Sequence, residues 1–332
     1  MNPRRLLNDI PDNLFFMEVS GYLDAKSVAN VSVSSKSFFS VTRDKQFWQS
    51  NLNASGVKLE ELKKVNEAKL NINYNKIFKH IIGNIKQINN NLVAWEILSL
   101  SGNPLAIRYA KQNLNLTGAT RNVSYMSPLH FAALSGSPSA IEEALTLPDT
   151  NLLHCDRLKR NALSYAVLSG SVAAVKLLLL KGKYNLEQVD RLQQTVFLLA
   201  AQSGSIELMR YLADALNVPC GSVDVFGANA LHLAADSKNI EAMRYCFFNK
   251  SIFPTIERAT KYNLLHRAVI SGSPNVVLFA RQITRSHLDE TDNKWKDVFD
   301  YANEHENCDA LLKALEEPVE SIYEVGFKRK KG

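Results

Sequence analysis

Ala132, Ala166, Ala200, Ala234, Ala268 and Ala302 follow one another at a spacing of 34 residues without a break. A chain that returns the same small side chain at one interval is built from one supersecondary unit used repeatedly, and that period limits the fold before any single element is read. Ahead of each alanine stands a residue able to cap a helix: Ser127, Asn161, Thr195, Asn229, Asn263 and Asp297. Their side-chain oxygens accept from backbone N–H groups that a helix start leaves orphaned. A second capping column reads Asn103, Ser137, Ser171, Ser205, Asn239, Ser273 and Asn307. Pro104, Pro138 and Pro274 follow it directly, at a first helical position where a missing N–H costs nothing. Gly102, Gly136, Gly170, Gly204 and Gly272 precede it, suited to a left-handed helix stop.

Each period therefore predicts a short helix, a tight turn and a second helix. The second helix has apolar columns of its own, Ile141, Val175, Met209, Met243, Val277 and Ala144, Leu178, Leu212, Cys246, Ala280. Helices of about nine residues do not stand alone in water. They must bury a face against the neighbouring unit, with the alanine column permitting close approach, so the predicted fold is all-α and solenoidal. Between periods an acid recurs at Asp156, Asp190, Asp224 and Asp292, with Arg258 in the remaining slot.

The spelling Ser127-Pro128-Leu129-His130-Phe131-Ala132 resembles the ankyrin signature, and partial matches begin at Asn229 and Asn263. Good repeats run over 123–291, a degenerate one leads at 92–121, and a trailing one at 292–316 carries Asp297, Asp300, Glu304 and Glu306 as a solvent-facing cap. The period is one longer than the usual ankyrin ~33. Of the family's hairpin glycines only Gly227 remains, with Lys159, Gln193, Lys261 and Trp295 elsewhere. The resemblance implies that hairpin tips and the inner face of the first helices bind a protein target. Carried over, that surface takes Arg157, Leu158, Arg160 and Leu168 from one repeat, and Arg191, Leu192, Gln194 and Gln202 from the next. Val225, Phe226 and Asp236 follow, then Thr260, Tyr262 and Ile270. Leu158, Leu192 and Phe226 share one repeat position, where they either form an exposed apolar patch or tuck between adjacent hairpins.

Residues 1–52 leave the period. They open Ile10-Pro11-Asp12-Asn13-Leu14, continue with Phe15, Phe16, Val19, Tyr22 and Leu23, break at Asp24-Ala25-Lys26, and resume with Val28, Val31, Phe38, Val41 and Phe47-Trp48. This three-helix pattern resembles the F-box, apart from one residue inserted between Pro11 and Leu23 and Ser34 in place of valine. A segment of about 40 residues struggles to close its own core, and each buried Leu or Phe is worth ~1.5–3 kcal/mol. The resemblance implies that the surplus apolar surface docks on Skp1, the adaptor of cullin–RING ubiquitin ligases, through Ile10, Pro11, Leu14, Val19, Leu23, Val28, Val31, Phe38 and Trp48. The competing expectation is that these helices only cap the array. Residues 53–91 form a helical linker in which Tyr74, Ile77, Phe78, Ile81, Ile82, Ile85 and Ile88 make an amphipathic stripe. A charged tail spans 317–332.

Other function classes find little support. A formal net charge of +6 is spread thinly, so nucleic acid is not expected as a partner. Cys155, Cys220, Cys246 and Cys308 form no CxxC pair, which argues against metal and disulfides and for a cytoplasmic, reducing location. His130, His232 and His266 share a column with Ser164, Leu198 and Asp300, so neither catalysis nor metal binding explains them, and no catalytic residue or cofactor is expected. No apolar run reaches the ~20 residues that cross a bilayer, and no membrane association is expected. Glu316-Glu317-Pro318-Val319-Glu320 with Glu324 is similar to the C-terminal export signals of effectors that intracellular bacteria inject into host cells, ahead of a basic Lys328-Arg329-Lys330-Lys331 end. The expected function is a substrate-recruiting adaptor of a Skp1–cullin–F-box ligase, acting in host cytosol if secreted. A plain ankyrin scaffold or sequestering protein is the alternative.

Overall fold

A computed structural model describes residues 94–100, 102–122, 124–284 and 287–318. The Skp1-docking residues expected in 1–52, the amphipathic stripe at 74–88 and the tail after 318 lie outside the described residues. Those described are helical, with one isolated bridge, Val223 to Asn229, and no strand among them. The chain divides into two compact units, one reaching Tyr184 and the other starting at Asn185 apart from a short exchange at 170–172.

In the first unit the helices are α1 (Ala94–Leu100), α2 (Pro104–Asn113), α3 (Pro128–Leu134), α4 (Pro138–Leu145), α5 (Ala162–Leu168) and α6 (Val172–Lys181). The first helices α1, α3 and α5 pack in sequence, and α2 packs on α4, so these helices meet their repeat equivalents. In the second unit α7 (Val196–Ser203), α9 (Ala230–Asp236), α11 (Leu264–Ile270) and α13 (Val298–Glu304) form the corresponding stack of first helices. Their partners are α8 (Ile206–Arg210), α10 (Ile240–Arg244), α12 (Pro274–Ile283) and α14 (Cys308–Glu316). The alanine column is wholly buried from Ala132 to Ala302, which is what a helix stack at close approach requires. Helices α8 and α10 each run on into a π turn, Tyr211–Ala215 and Tyr245–Asn249, which the period did not foretell.

The capping columns do the work their chemistry suggests. Asn161 accepts from Ser164 N, Thr195 from Leu198 N, Asn263 from His266 N, and Asp297 from Phe299 N and Asp300 N. In the second column Asn103, Ser137, Ser205 and Asn239 cap in the same way. Ser273 and Asn307 make no such bond, so there the expectation fails. Helix α13 ends at Glu304, which leaves Glu306 in the turn rather than on a helix. Gly102, Gly136, Gly170, Gly204 and Gly272 all sit at φ between 71° and 75°. One period slot in that series belongs to Lys238, which takes φ 62° without a glycine's freedom.

Candidate target-binding surface

Each hairpin is a tight turn closed on a polar side chain. In the first unit Asn122 accepts from Ser124 N and Met126 N, and Asp156 Oδ1 accepts from Arg160 N at 2.8 Å. In the second, Asp190 Oδ1 accepts from Leu192 N and Gln194 N, Asp224 Oδ1 from Phe226 N and Ala228 N, and Asp292 Oδ1 from Lys294 N and Lys296 N. The carboxylates therefore face into the turn, and all four aspartates are buried. Their column is recognisable because backbone N–H groups converge where an acceptor is wanted.

The hairpin after α10 departs from this plan. Its backbone is closed by Glu257 N to Tyr262 O, one residue wider than the pairs Asp224–Ala228 and Asp292–Lys296. Arg258, which holds the period slot of the acids, is exposed, and the buried carboxylate comes from Glu257 instead. Glu257 Oε2 accepts from Thr260 Oγ1 at 2.7 Å, and Oε1 pairs with Arg267 Nε at 2.5 Å. Arg267 Nη1 also meets Asp236 Oδ2 at 2.6 Å. In two other repeats the same helix position is a tyrosine that serves the hairpin acid: Tyr165 donates to Asp156 Oδ2 and Tyr301 to Asp292 Oδ2, both at 2.6 Å. Arg267 is the charged version of that contact. Burial works to lower its pKa, but the carboxylates of Asp236 and Glu257 outweigh burial and hold the guanidinium above its ordinary value. Its Nη2 is buried without a hydrogen-bond partner among the described residues.

Successive tips within a unit are joined through the main chain. In the first, Arg157 N donates to Ser124 O at 3.0 Å, and the Arg157 guanidinium lies over the Tyr125 ring. In the second, Val225 N donates to Leu192 O, Arg258 N to Phe226 O and Asn293 N to Thr260 O, at 2.9, 2.9 and 3.0 Å. The tips thus form a continuous ridge within the second unit. Tyr125, Lys159, Gln193, Lys261 and Trp295 adopt φ between 58° and 63°, so the left-handed hairpin residue persists although Gly227 is the one glycine left in that column.

The structure sorts the residues expected to meet a target. Arg157, Arg191 and Val225 are exposed, and Leu158, Leu168, Gln202, Asp236, Thr260 and Ile270 are partly exposed. Arg160, Leu192, Gln194, Phe226 and Tyr262 are buried. For Leu192 and Phe226 the reading of an exposed apolar patch is therefore corrected: their own N–H groups bind Asp190 and Asp224, which folds the side chains beneath the tips. Asp236 is drawn into the ion pair with Arg267. Exposed large apolar residues that the sequence did not place on the target surface include Trp295, at 85% exposure, with Val223, Phe248, Phe253 and Ile256.

Three matches of the family model described as ankyrin repeats (3 copies) cover residues 73–190, 173–257 and 197–292. The chain belongs to the ankyrin-repeat family. The ankyrin match starts inside the segment expected as linker and stops at 292, while α13 and α14 extend the helix-pair pattern beyond it. Among solved structures, the crystal structure of the human ASB11 ankyrin repeat domain is similar at 18% identity, over 69% of this chain and 100% of that one, with a TM-score of 0.45. No curated protein sequence matches the chain. Membership of the ankyrin family makes the array a protein–protein interaction scaffold.

The ankyrin histidines are structural. His130 Nδ1 accepts from Ser127 N at 2.9 Å, and its Nε2 donates to Arg160 O of the next hairpin. His266 Nε2 lies 3.3 Å from Lys296 O. His232 reaches Thr255 O at 2.9 Å instead of the corresponding hairpin residue, a consequence of the wider turn. Burial pushes His130 down to about 3, helped by His154. Burial also takes His232 down to about 4, with Glu257 opposing and Arg267 adding to the effect. Buried, bonded imidazoles of this kind hold hairpins together and offer no free ring nitrogen to a metal or substrate. No helix among the described residues is long and apolar enough to cross a membrane.

Proposed function

We propose that this protein is a substrate-recruiting subunit of a Skp1–cullin–F-box ubiquitin ligase, in which residues 1–52 dock on Skp1 and the ankyrin array holds a target. The observation that carries the reading is the apolar pattern from Leu23 to Phe47-Trp48, which resembles an F-box and precedes the first residue of the ankyrin match at 73. An array that captures a protein and an F-box-like segment that recruits a ligase divide one task between them. The protein contributes proximity and orientation, and transfer of ubiquitin is performed elsewhere in the complex. The glutamate cluster from Glu316 to Glu324 supports delivery into a host cell, where the host ubiquitin machinery and cytosol are the setting.

The test is co-elution of the purified full-length chain with Skp1, followed by the same experiment on Leu23→Asp. Co-elution that Leu23→Asp abolishes, with the far-UV circular dichroism unchanged, supports the reading. Absence of co-elution with the wild-type chain sinks it and leaves the interaction scaffold.

A further inference from the structure

We propose that the hairpin ridge of the second unit, around Val225, Arg258, Lys261 and Trp295, binds an acidic protein segment carrying an apolar side chain. The inference rests on the reading that the array captures a protein, and names that protein's chemistry.

Charge distribution is the first ground. The carboxylates at the turns themselves point inward: Asp190, Asp224 and Asp292 accept backbone N–H bonds, and Glu257 is closed off with Arg267, while the exposed Glu187 and Asp289 lie in the preceding loops and Asp300 on α13. What the tips show to solvent is cationic, with Arg191, Arg258, Lys261 and Lys294 all exposed. The main-chain bonds from Arg258 to Phe226 and from Asn293 to Thr260 keep those tips at fixed spacing, so the charges act along one line. A cationic line with its own anions buried attracts an anionic partner and repels a basic one.

Apolar surface is the second ground. Trp295 is 85% exposed on the last tip and Val225 is 46% exposed on an earlier one. A tryptophan in water is a poor use of surface and a frequent anchor at interfaces. Lys261 and Trp295 hold left-handed backbone, at φ 63° and 61°, where glycine would fold at lower cost. The chain keeps a charged and an aromatic side chain at two positions whose left-handed backbone makes their display costly.

A protein segment fits better than a nucleic acid. Single strands are held by stacking successive bases on successive aromatic rings. Among the described tips of this unit Trp295 is the one exposed aromatic, and Val225 offers no stacking platform.

The experiment uses the full-length chain and a labelled glutamate-rich peptide with a central leucine pair, read by anisotropy and by tryptophan emission. Controls are the lysine-for-glutamate peptide, the serine-for-leucine peptide and a single-stranded oligonucleotide. The acidic leucine peptide is expected to bind, to weaken as salt rises, and to lose about tenfold in affinity with Trp295→Ala or with Arg258→Glu and Lys261→Glu together. The emission change should vanish in Trp295→Phe. Preference for the basic peptide or the oligonucleotide overturns the proposal, as does absence of binding or binding indifferent to the substitutions. A peptide-display library selected on the same protein separates the two levels. Enrichment of sequences that ignore the ridge variants removes the ridge but leaves protein capture standing, whereas no enrichment at all removes protein capture itself.

Discussion

Arg267 Nε lies 2.5 Å from Glu257 Oε1 in a place closed to solvent, with 2% of the arginine side chain and 0% of the glutamate side chain exposed. The pair exists because the hairpin after α10 is one residue wider than its neighbours, which moves the capping carboxylate from the Arg258 slot to Glu257. A longer acid then meets a longer base where two other repeats pair aspartate with tyrosine.

Removing one member of such a pair strands the other charge. Arg267→Met is expected to cost about 3–5 kcal/mol of unfolding free energy, because Glu257 is left buried and uncompensated. The double variant Arg267→Met with Glu257→Gln should recover most of that loss. Urea denaturation of the three proteins checks this, and a single-variant loss below about 1 kcal/mol would show the pair to be far better hydrated than its burial indicates.

Acid should weaken the array through its histidines. His130 and His232 fold as neutral rings with pKa values near 3 and 4, against an ordinary 6.5. The unfolded chain binds the proton first, so their stabilisation is complete above about pH 6.5 and is lost as pH falls toward 4. For His232 the loss is on the order of 3 kcal/mol. The urea midpoint measured from pH 7 to pH 4 should fall steadily, and His232→Asn should flatten part of that slope. A midpoint independent of pH across this window would contradict the assignment.

The inter-helix turn offers paired substitutions of opposite sign. Lys238 holds φ 62° where the other slots use glycine, so Lys238→Gly should raise stability by roughly 0.5–1 kcal/mol. Gly272→Ala should lower it by more, since a Cβ there would collide with the His305 ring at φ 75°. Thermal unfolding of the two variants should move in opposite directions, and a destabilised Lys238→Gly would mean that the lysine side chain carries contacts outweighing its backbone strain.

Two members of one capping column should differ in cost. Thr195 caps α7 through a single bond to Leu198 N. Asn229 accepts from Leu231 N and His232 N while its amide donates to Phe253 O and Thr255 Oγ1. Thr195→Ala should cost about 1 kcal/mol and Asn229→Ala about 2–3 kcal/mol. Equal costs, measured by denaturant midpoint at constant slope, would show that the Phe253–Thr255 tether adds nothing.

What the sequence displayed was periodic, and what it concealed was aperiodic. Caps, glycine stops and the alanine column recur at one interval, so Asn161, Gly204 and Ala234 could be placed from spacing alone. The Glu257–Arg267 pair breaks the interval, so spacing alone puts Arg258 in the acid slot and does not find the pair. A signal for it did exist: Arg267 stands in a column otherwise filled by Phe131, Tyr165, Leu199, Leu233 and Tyr301, and a charge there needs a buried partner. The surface was harder to read. Leu192, Phe226 and Tyr262 occupy tip positions but turn beneath them, because a side chain's direction in a tight turn depends on which N–H the hairpin acid engages. Trp295 is legible in the sequence as a hairpin-column residue but not as target surface, for the converse reason: it is a large apolar residue in a column that the family reserves for glycine.

The amides of Val225, Arg258 and Asn293 are each consumed by a carbonyl of the preceding tip. A ligand lying along this edge finds no vacant row of main-chain donors to extend. With these amides taken, side chains carry the discrimination among ligands, which can be retuned by single substitutions without unpicking the stitching beneath.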